Sequence, residues 1–252
     1  MTMGGDVDYD RTGAGYAQQR RPDARIGKAI ADALGEARTV LNVGAGAGSY
    51  EPADRCVLAV EPSAVMRSQR PPGSAIVINA FAEALPLDDG SVDAAMAVAT
   101  VHQWSDVARG LAELRRVARG PVVVAAFDGD VLARFWLNDF APELIAAERR
   151  RYPDIQDIAD GLGGRCEVRP VPIPLDCTDG FTEAFYGRPE RLLDPAVRRA
   201  QSSWGFVGPE AEPRFVAALT ADLASGAWDD RWGVLRTRDA YDGSLRLIIS
   251  HP

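Results

Sequence analysis

The chain has 252 residues, 28 of them Lys or Arg and 36 Asp or Glu, which gives a formal net charge of −8, and 46% of it is apolar. This is a globular composition that excludes fibres and disordered polymers, and it argues against general polyanion binding, which needs clustered cations that release counterions. Three cysteines and two histidines, His102 and His251, with no C-x-x-C pair, supply neither a disulfide framework nor a zinc site, so no metal is expected.

No apolar run approaches the roughly 18 residues of a membrane span. The first ten residues carry Gly and Asp where a secretory leader would be basic and then apolar, so no membrane and a cytoplasmic location are expected. At about 150 residues per domain, the length fits one large α/β domain with an insertion as well as it fits two domains. The arginines at 149–151, and Arg198 with Arg199, read as solvated helix faces, and nucleic acid is not an expected partner.

In chain order, the first 20 residues are polar and Gly-rich, with Tyr9 and Tyr16 seven apart. Residues 25–34 then read as a helix with Ile26, Ile30 and Leu34 on one face. A rhythm of short β-branched runs follows, at Thr39–Val43, Cys56–Val60, 75–78, 92–98 and 121–127. Each is apolar almost throughout, as a strand covered on both faces should be. Leu111, Leu114, Val117 and Ala118 mark a helix between the last two runs, ending at Gly120 as a C-cap. The alternation predicts a parallel sheet with right-handed crossovers.

Beyond Phe127, Val131, Leu132, Phe135 and Trp136 mark one helix, and Pro142 interrupts it before a second carrying Leu144 and Ile145. Residues 166–174 alternate, but Pro170, Pro172 and Pro174 cannot donate to a ladder, which places this strand at an edge. Residues 245–250 form another strand. The roughly 70 residues between these two are too long for a plain connection and read as an inserted helical cap with Trp204, Trp228 and Trp232.

The segment most informative for chemistry is the strand at 39–43 running into Gly44-Ala45-Gly46-Ala47-Gly48. Three alternating glycines let the chain turn tightly and let a ligand approach the backbone. A dinucleotide G-x-G-x-x-G would need glycine at Ser49, and its ribose acid about 20 residues on. Here the next strand ends at Glu61, seventeen residues after Gly44. A carboxylate at that tip can accept hydrogen bonds from both ribose hydroxyls and would repel a 2′-phosphate.

With these features the chain resembles the class I S-adenosylmethionine-dependent methyltransferases, in the type 11-like branch that acts on small molecules. Further motifs follow in the family's order. Residues 82–93 resemble an Ala-Glu-x-Leu-Pro stretch leading through an acidic turn to the fourth strand. Residues 101–106 resemble a His-x-Trp segment, and Glu113 with Arg116 and Val117 a Glu-x-x-Arg-Val helix. The likeness spans roughly residues 35–127.

It implies a doubly wound, mostly parallel seven-stranded sheet of Rossmann-like α/β class, with a helical cap inserted between the last two strands. The domains would be an N-terminal segment and helix over the cofactor at 1–34, a cofactor-binding core at 35–174, the cap at 175–244 and a final core strand at 245–252. The cofactor would be S-adenosylmethionine. It would be held by Gly44, Ala45, Gly46 and Gly48 at its amino-acid end and by Glu61 at the ribose, with Pro62, Met66, Phe81, Ala82 and Glu83 alongside. Tyr16 and Arg20 fit an N-terminal segment folding over it, with the guanidinium a partner for its carboxylate. His102 is the candidate general base, with rim packing beside Trp104 the competing role. Trp104, Tyr186 and Trp204 are candidates for the substrate pocket.

Two positions depart from the family pattern: Asn42 stands where Asp is usual, and Phe81 where a polar residue commonly meets the adenine. The expected reaction is methyl transfer by in-line displacement to a small, partly apolar metabolite, with the attacked atom and the oligomeric state left open. Competing readings are a nicotinamide-dependent dehydrogenase and a repurposed binding protein without methyl transfer.

Overall fold

Five short strands, β1 (Thr39–Val43), β2 (Cys56–Val60), β3 (Ile76–Ile78), β4 (Ala94–Val98) and β5 (Val122–Phe127), run parallel in a computed structural model that describes residues 19–252. Two antiparallel strands complete the sheet: β9 (Leu245–His251) pairs with β5, and β6 (Arg165–Pro170) pairs with β9. The order β3-β2-β1-β4-β5-β9-β6 makes seven strands and reverses direction of growth between β1 and β4. At such a switch point the loops leaving the two central strands diverge and open a crevice at their carboxyl ends.

Central position explains the sequence pattern. Every residue of β5 and four of the five in β1 are buried, so both faces of these strands demand apolar side chains. Edge strand β6 exposes Arg165, Glu167 and Arg169, charges that discourage pairing with another chain.

Helices α1 (Ala24–Ala33), α2 (Ala64–Ser68), α3 (Val107–Val117), α4 (Gly129–Leu132), α5 (Pro142–Arg151) and α6 (Ile155–Leu162) precede β6; α7 (Pro195–Arg199), α8 (Ala211–Ser225) and α9 (Ala227–Trp232) follow it. Leu111, Leu114 and Val117 of α3 and Ile158 and Leu162 of α6 cover one sheet face. The other face packs Ile26 and Ile30 of α1 together with Phe215 and Trp228 from the stretch before β9. Residues 171–244 thus share a continuous core with the sheet.

The structure corrects three local expectations. The single edge strand expected at 166–174 ends at Pro170; Ile173–Pro174 (β7) instead pairs with Ala240–Tyr241 (β8) in a separate ribbon. Helix α3 ends at Val117 with Ala118 as its C-cap, and Gly120 is required because a Cβ there would lie 2.6 Å from the Asp93 carbonyl oxygen. Arg198 is buried, not solvated: it donates to Glu212 Oε1 and to the Leu192 carbonyl, each at 2.7 Å.

Trp228 anchors the second face. It is fully buried, edge-on to Trp136 at 5.4 Å, yet its indole N–H has no partner. Trp228→Ala should therefore cost about 3–5 kcal/mol through the cavity it leaves. Trp228→Phe should cost clearly less in urea unfolding, because it also removes an unpaired buried donor.

Candidate functional site

The crevice at the switch point is built by the chain's own backbone. Gly44 and Ala45 donate their N–H groups to the Val60 carbonyl at 2.9 and 3.0 Å, and Gly46 donates to Glu61 Oε2 at 2.8 Å. Three successive amides of the loop after β1 are thus tied to the tip of β2. Gly44 sits at φ +69°, and a Cβ there would fall 2.1 Å from Thr100 Oγ1, so only glycine lets this loop pass under the loop that follows β4.

Beneath the loop, Asn42 Nδ2 donates to Glu51 Oε1 at 3.2 Å, and Arg70 Nη2 donates to both Glu51 oxygens at 2.8 Å. Arg70 also reaches the Gly46 carbonyl at 3.4 Å. This accounts for Asn42. A carboxylate there would face Glu51, whereas an amide can donate to it. The negative charge beneath the loop sits on Glu51, nine positions along.

Glu61 is 7% exposed. Its Oε1 accepts from the Ser63 N–H at 2.8 Å, and burial raises its pKa above the ordinary glutamate range against the opposing pull of the two backbone donors. A carboxylate accepts about four hydrogen bonds, so two backbone amides leave capacity for the hydroxyls of a ligand.

The crevice encloses about 830 Å³ of empty space including its open mouth, and is lined by Gly44, Gly46, Glu61, Met66, Ala99 and Phe127 among others. Ala99 at the end of β4 has φ +51°, a left-handed conformation that is strained for a residue with a Cβ. The far wall is a polar chain: Arg20 Nε donates to Asp179 Oδ1 at 2.5 Å, and the Tyr50 hydroxyl donates to Asp179 Oδ2 at 2.8 Å.

The sequence-predicted residues fall into groups. Arg20, Gly44, Ala45, Gly46, Glu61 and Met66 line the crevice. Gly48 lies behind it, where a Cβ would meet the Arg70 guanidinium at 3.3 Å. Pro62 follows Glu61, and its carbonyl accepts from Arg67 at 2.7 Å. Phe81 is 45% exposed and Ala82 is buried; neither lines the crevice. Glu83 Oε1 accepts from the Ser105 N–H and hydroxyl and from the Asp106 N–H, pinning the start of α3. Tyr16 lies outside the described residues.

Two motifs prove to be one device. Glu113 accepts from the Leu85 N–H at 2.9 Å, while Arg116 donates to the Leu85 and Leu87 carbonyls at 3.1 and 2.8 Å. The acid and the arginine of α3 thus hold the Leu-Pro stretch against the sheet.

His102 lies in a second cavity that shares Arg20, Ala99, Gln103, Phe127 and Phe181 with the first and encloses about 500 Å³ including its opening. It stands edge-on to Tyr152 at 5.2 Å. Trp104 packs over Gly110, where a Cβ would come within 2.4 Å of the indole. Tyr186 is fully buried, stacked on Tyr241 at 5.0 Å, with its hydroxyl donating to the Arg238 carbonyl at 2.7 Å. Trp204 packs on Phe215 at 5.1 Å. Neither Tyr186 nor Trp204 lines either cavity.

Several residues carried no sequence signal: Thr100, Asp179, Glu148, Glu183 and Gln201. All come close only through tertiary contacts, as Tyr50 and Asp179 do across 129 positions. Burial pushes Glu183 up to about 7, although Ser244 donates to it from both N–H and hydroxyl. Among the described residues, no group of His, Cys, Asp or Glu could hold a metal ion.

Comparison with known proteins places this geometry. Residues 41–125 match the family described as Methyltransferase domain. A solved structure from Anabaena variabilis, described as a methyltransferase from an antibiotic biosynthesis pathway, is 31% identical, with a TM-score of 0.86 over 92% of this chain and 99% of its own. Phosphoethanolamine N-methyltransferase 2 of Haemonchus contortus, solved with S-adenosylmethionine, shares the fold at 15% identity and TM-score 0.55, over 96% of this chain and 58% of its own. A Thermotoga maritima S-adenosylmethionine-dependent methyltransferase does so at 23% and 0.51, over 64% and 81%. No curated protein matches.

The fold is a doubly wound sheet with a crevice at its switch point. The chain belongs to the class I S-adenosylmethionine-dependent methyltransferases. This replaces the nicotinamide-dependent alternative.

The buried Arg70–Glu51 pair gives a direct check on the loop. Its side chains are only 5% and 11% exposed, so Arg70→Met, which strands Glu51, should cost about 3–5 kcal/mol of unfolding free energy. Adding Glu51→Gln should recover part of that loss, measured by denaturant titration of the single and double variants.

Proposed function

We propose that this methyltransferase acts on a small metabolite, holding its donor along the loop after β1 with the ribose hydroxyls on Glu61. The observation that carries the reading is the coincidence, in one crevice, of a glycine-rich loop, with Gly44 and Gly46 in its lining, and a buried carboxylate with spare acceptor capacity. When bound, S-adenosylmethionine supplies a methyl group made electrophilic by the sulfonium. Gly44 to Ala47 offer backbone at van der Waals distance, Met66 and Ile26 provide apolar walls, and the chain Arg20–Asp179–Tyr50 closes the side nearest residues 171–244.

In-line displacement asks the protein chiefly to align two reactants about 3–3.5 Å apart and to exclude water, which needs no covalent attachment to a side chain. The second cavity suits the acceptor, because it opens against the first through Ala99, Gln103 and Phe127. His102, within it, is placed to hold or move a proton there. The antibiotic-pathway description of the 31% identical relative supports a small metabolite as acceptor. The net charge of −8 supports action away from nucleic acid. No described helix is long and apolar enough to cross a membrane, which is consistent with a cytoplasmic place of action.

Glu61 tests the reading. Glu61→Ala should weaken binding of S-adenosylhomocysteine by about 1–3 kcal/mol in titration calorimetry, since two ligand hydroxyls lose their acceptor. Wild-type affinity should fall as pH drops through the raised Glu61 range, because protonation removes acceptor capacity, and this dependence should vanish in the variant. Equal affinities for the two proteins would remove the ribose assignment.

A further inference from the structure

The second cavity has two walls of opposite character. One is a continuous aromatic surface: His102 edge-on to Tyr152 at 5.2 Å, Tyr152 stacked on Phe127 at 5.4 Å, and Phe127 against Phe181 at 5.4 Å. Such a surface favours a flat, unsaturated guest, whose ring can stack or meet these rings edge to face.

The other wall is polar and incomplete. Glu148 of α5 is 4% exposed, and its Oε1 is fixed by the Thr182 hydroxyl at 2.9 Å and the Ser203 hydroxyl at 2.7 Å. Its Oε2 is buried with no partner. Gln201, also 4% exposed, accepts from Trp204 Nε1 at 3.2 Å through Oε1. Indole nitrogen can only donate, so the amide is fixed with its NH2 turned from Trp204, and that Nε2 too has no partner. Trp204 is thus a positioning residue that acts through Gln201.

A buried acceptor and a buried donor left unpaired in one cavity are costly unless something completes them. The residues that carry them, Glu148 and Gln201, line the same space, together with the guanidinium-bearing Arg20 and Arg151. We propose that this cavity is the acceptor site, and that it takes a single-ring aromatic molecule whose hydroxyl or amine donates to Glu148 while a carbonyl or carboxylate oxygen accepts from Gln201. The volume of about 500 Å³, part of it open mouth, leaves room for one substituted ring. The inference rests on the reading of the neighbouring crevice as the donor site. It narrows the small, partly apolar acceptor expected from sequence to a polar-substituted aromatic ring; of the aromatics between β6 and β9, Phe181 lines the cavity while Tyr186 and Phe215 belong to the core.

The probes are the three hydroxybenzoates and three aminobenzoates, with benzoate as the control lacking a donor. Binding is measured by calorimetry on the full chain saturated with S-adenosylhomocysteine. At least one donor-bearing isomer should bind ten-fold or more tightly than benzoate. Glu148→Gln should erase that preference, and Gln201→Leu should weaken all the carboxylates, while affinity for S-adenosylhomocysteine and the melting temperature stay close to wild type.

A variant that does not fold leaves the other variant and the hydroxybenzoate-to-benzoate ratio of the wild type to decide. The proposal is overturned if benzoate binds as tightly as every donor-bearing isomer, or if none of the seven binds a protein that does take up S-adenosylhomocysteine. Failure to bind S-adenosylhomocysteine at all would instead count against the donor-site reading on which this one stands.

Discussion

Three consecutive amides, those of Gly44, Ala45 and Gly46, all donate to the last residues of the neighbouring strand, two to Val60 and one to the side chain of Glu61. This tie determines the rest. It curls the loop after β1 back over the sheet and keeps a carboxylate at the crevice wall despite the cost of burying it. It also brings the loop so close to Thr100 that a methyl group at position 44 cannot be accommodated. The same carboxylate that would receive the ligand is part of what shapes the cradle. Loop shape and the proposed ligand recognition therefore meet in one side chain.

The second organising contact is long-range. Asp179 joins Arg20, just before α1, to Tyr50, just after the glycine loop, and the Thr178 N–H donates to Asp23. Three segments distant in sequence meet at one wall of the crevice. Because residues 171–244 also pack into the core beneath the sheet, the part of the chain that lines the second cavity is held by the same apolar cluster that supports the strands. Glu148 and Gln201 gain rigidity from this: each is buried, and each has one end fixed before any guest arrives.

Much of this was legible in sequence because it follows from local rules. Strands covered on both faces must be apolar, and β4 and β5 are throughout, with Asn42 the buried polar exception in β1. A turn that curls this tightly needs positive φ, and 44, 46 and 48 are glycine, although Gly48 faces Arg70 and not the crevice. Elsewhere the local rule competes with a tertiary one. Gly120 reads as a helix cap, yet answers to the Asp93 carbonyl just before the neighbouring strand β4. Tyr186 reads as a pocket aromatic, yet its ring completes the core and its hydroxyl closes on Arg238. Glu148 sits beside three arginines in a run that reads as a solvated face. Only the packing of α5 against residues 182–203 turns it inward. Asn42 looked like a lost carboxylate, and the structure shows that charge carried by Glu51.

The central claim is that the crevice between the ends of β1, β2 and β4 grips the donor from both ends. A crystal structure of the protein with S-adenosylhomocysteine bound measures this directly. The account predicts both ribose hydroxyls within about 3 Å of Glu61 and the amino-acid end lying along Gly44 to Gly46, with the sulfur facing the cavity that holds Glu148 and Gln201. A ligand seated elsewhere, or one that leaves Glu61 touching only its own backbone, would contradict it.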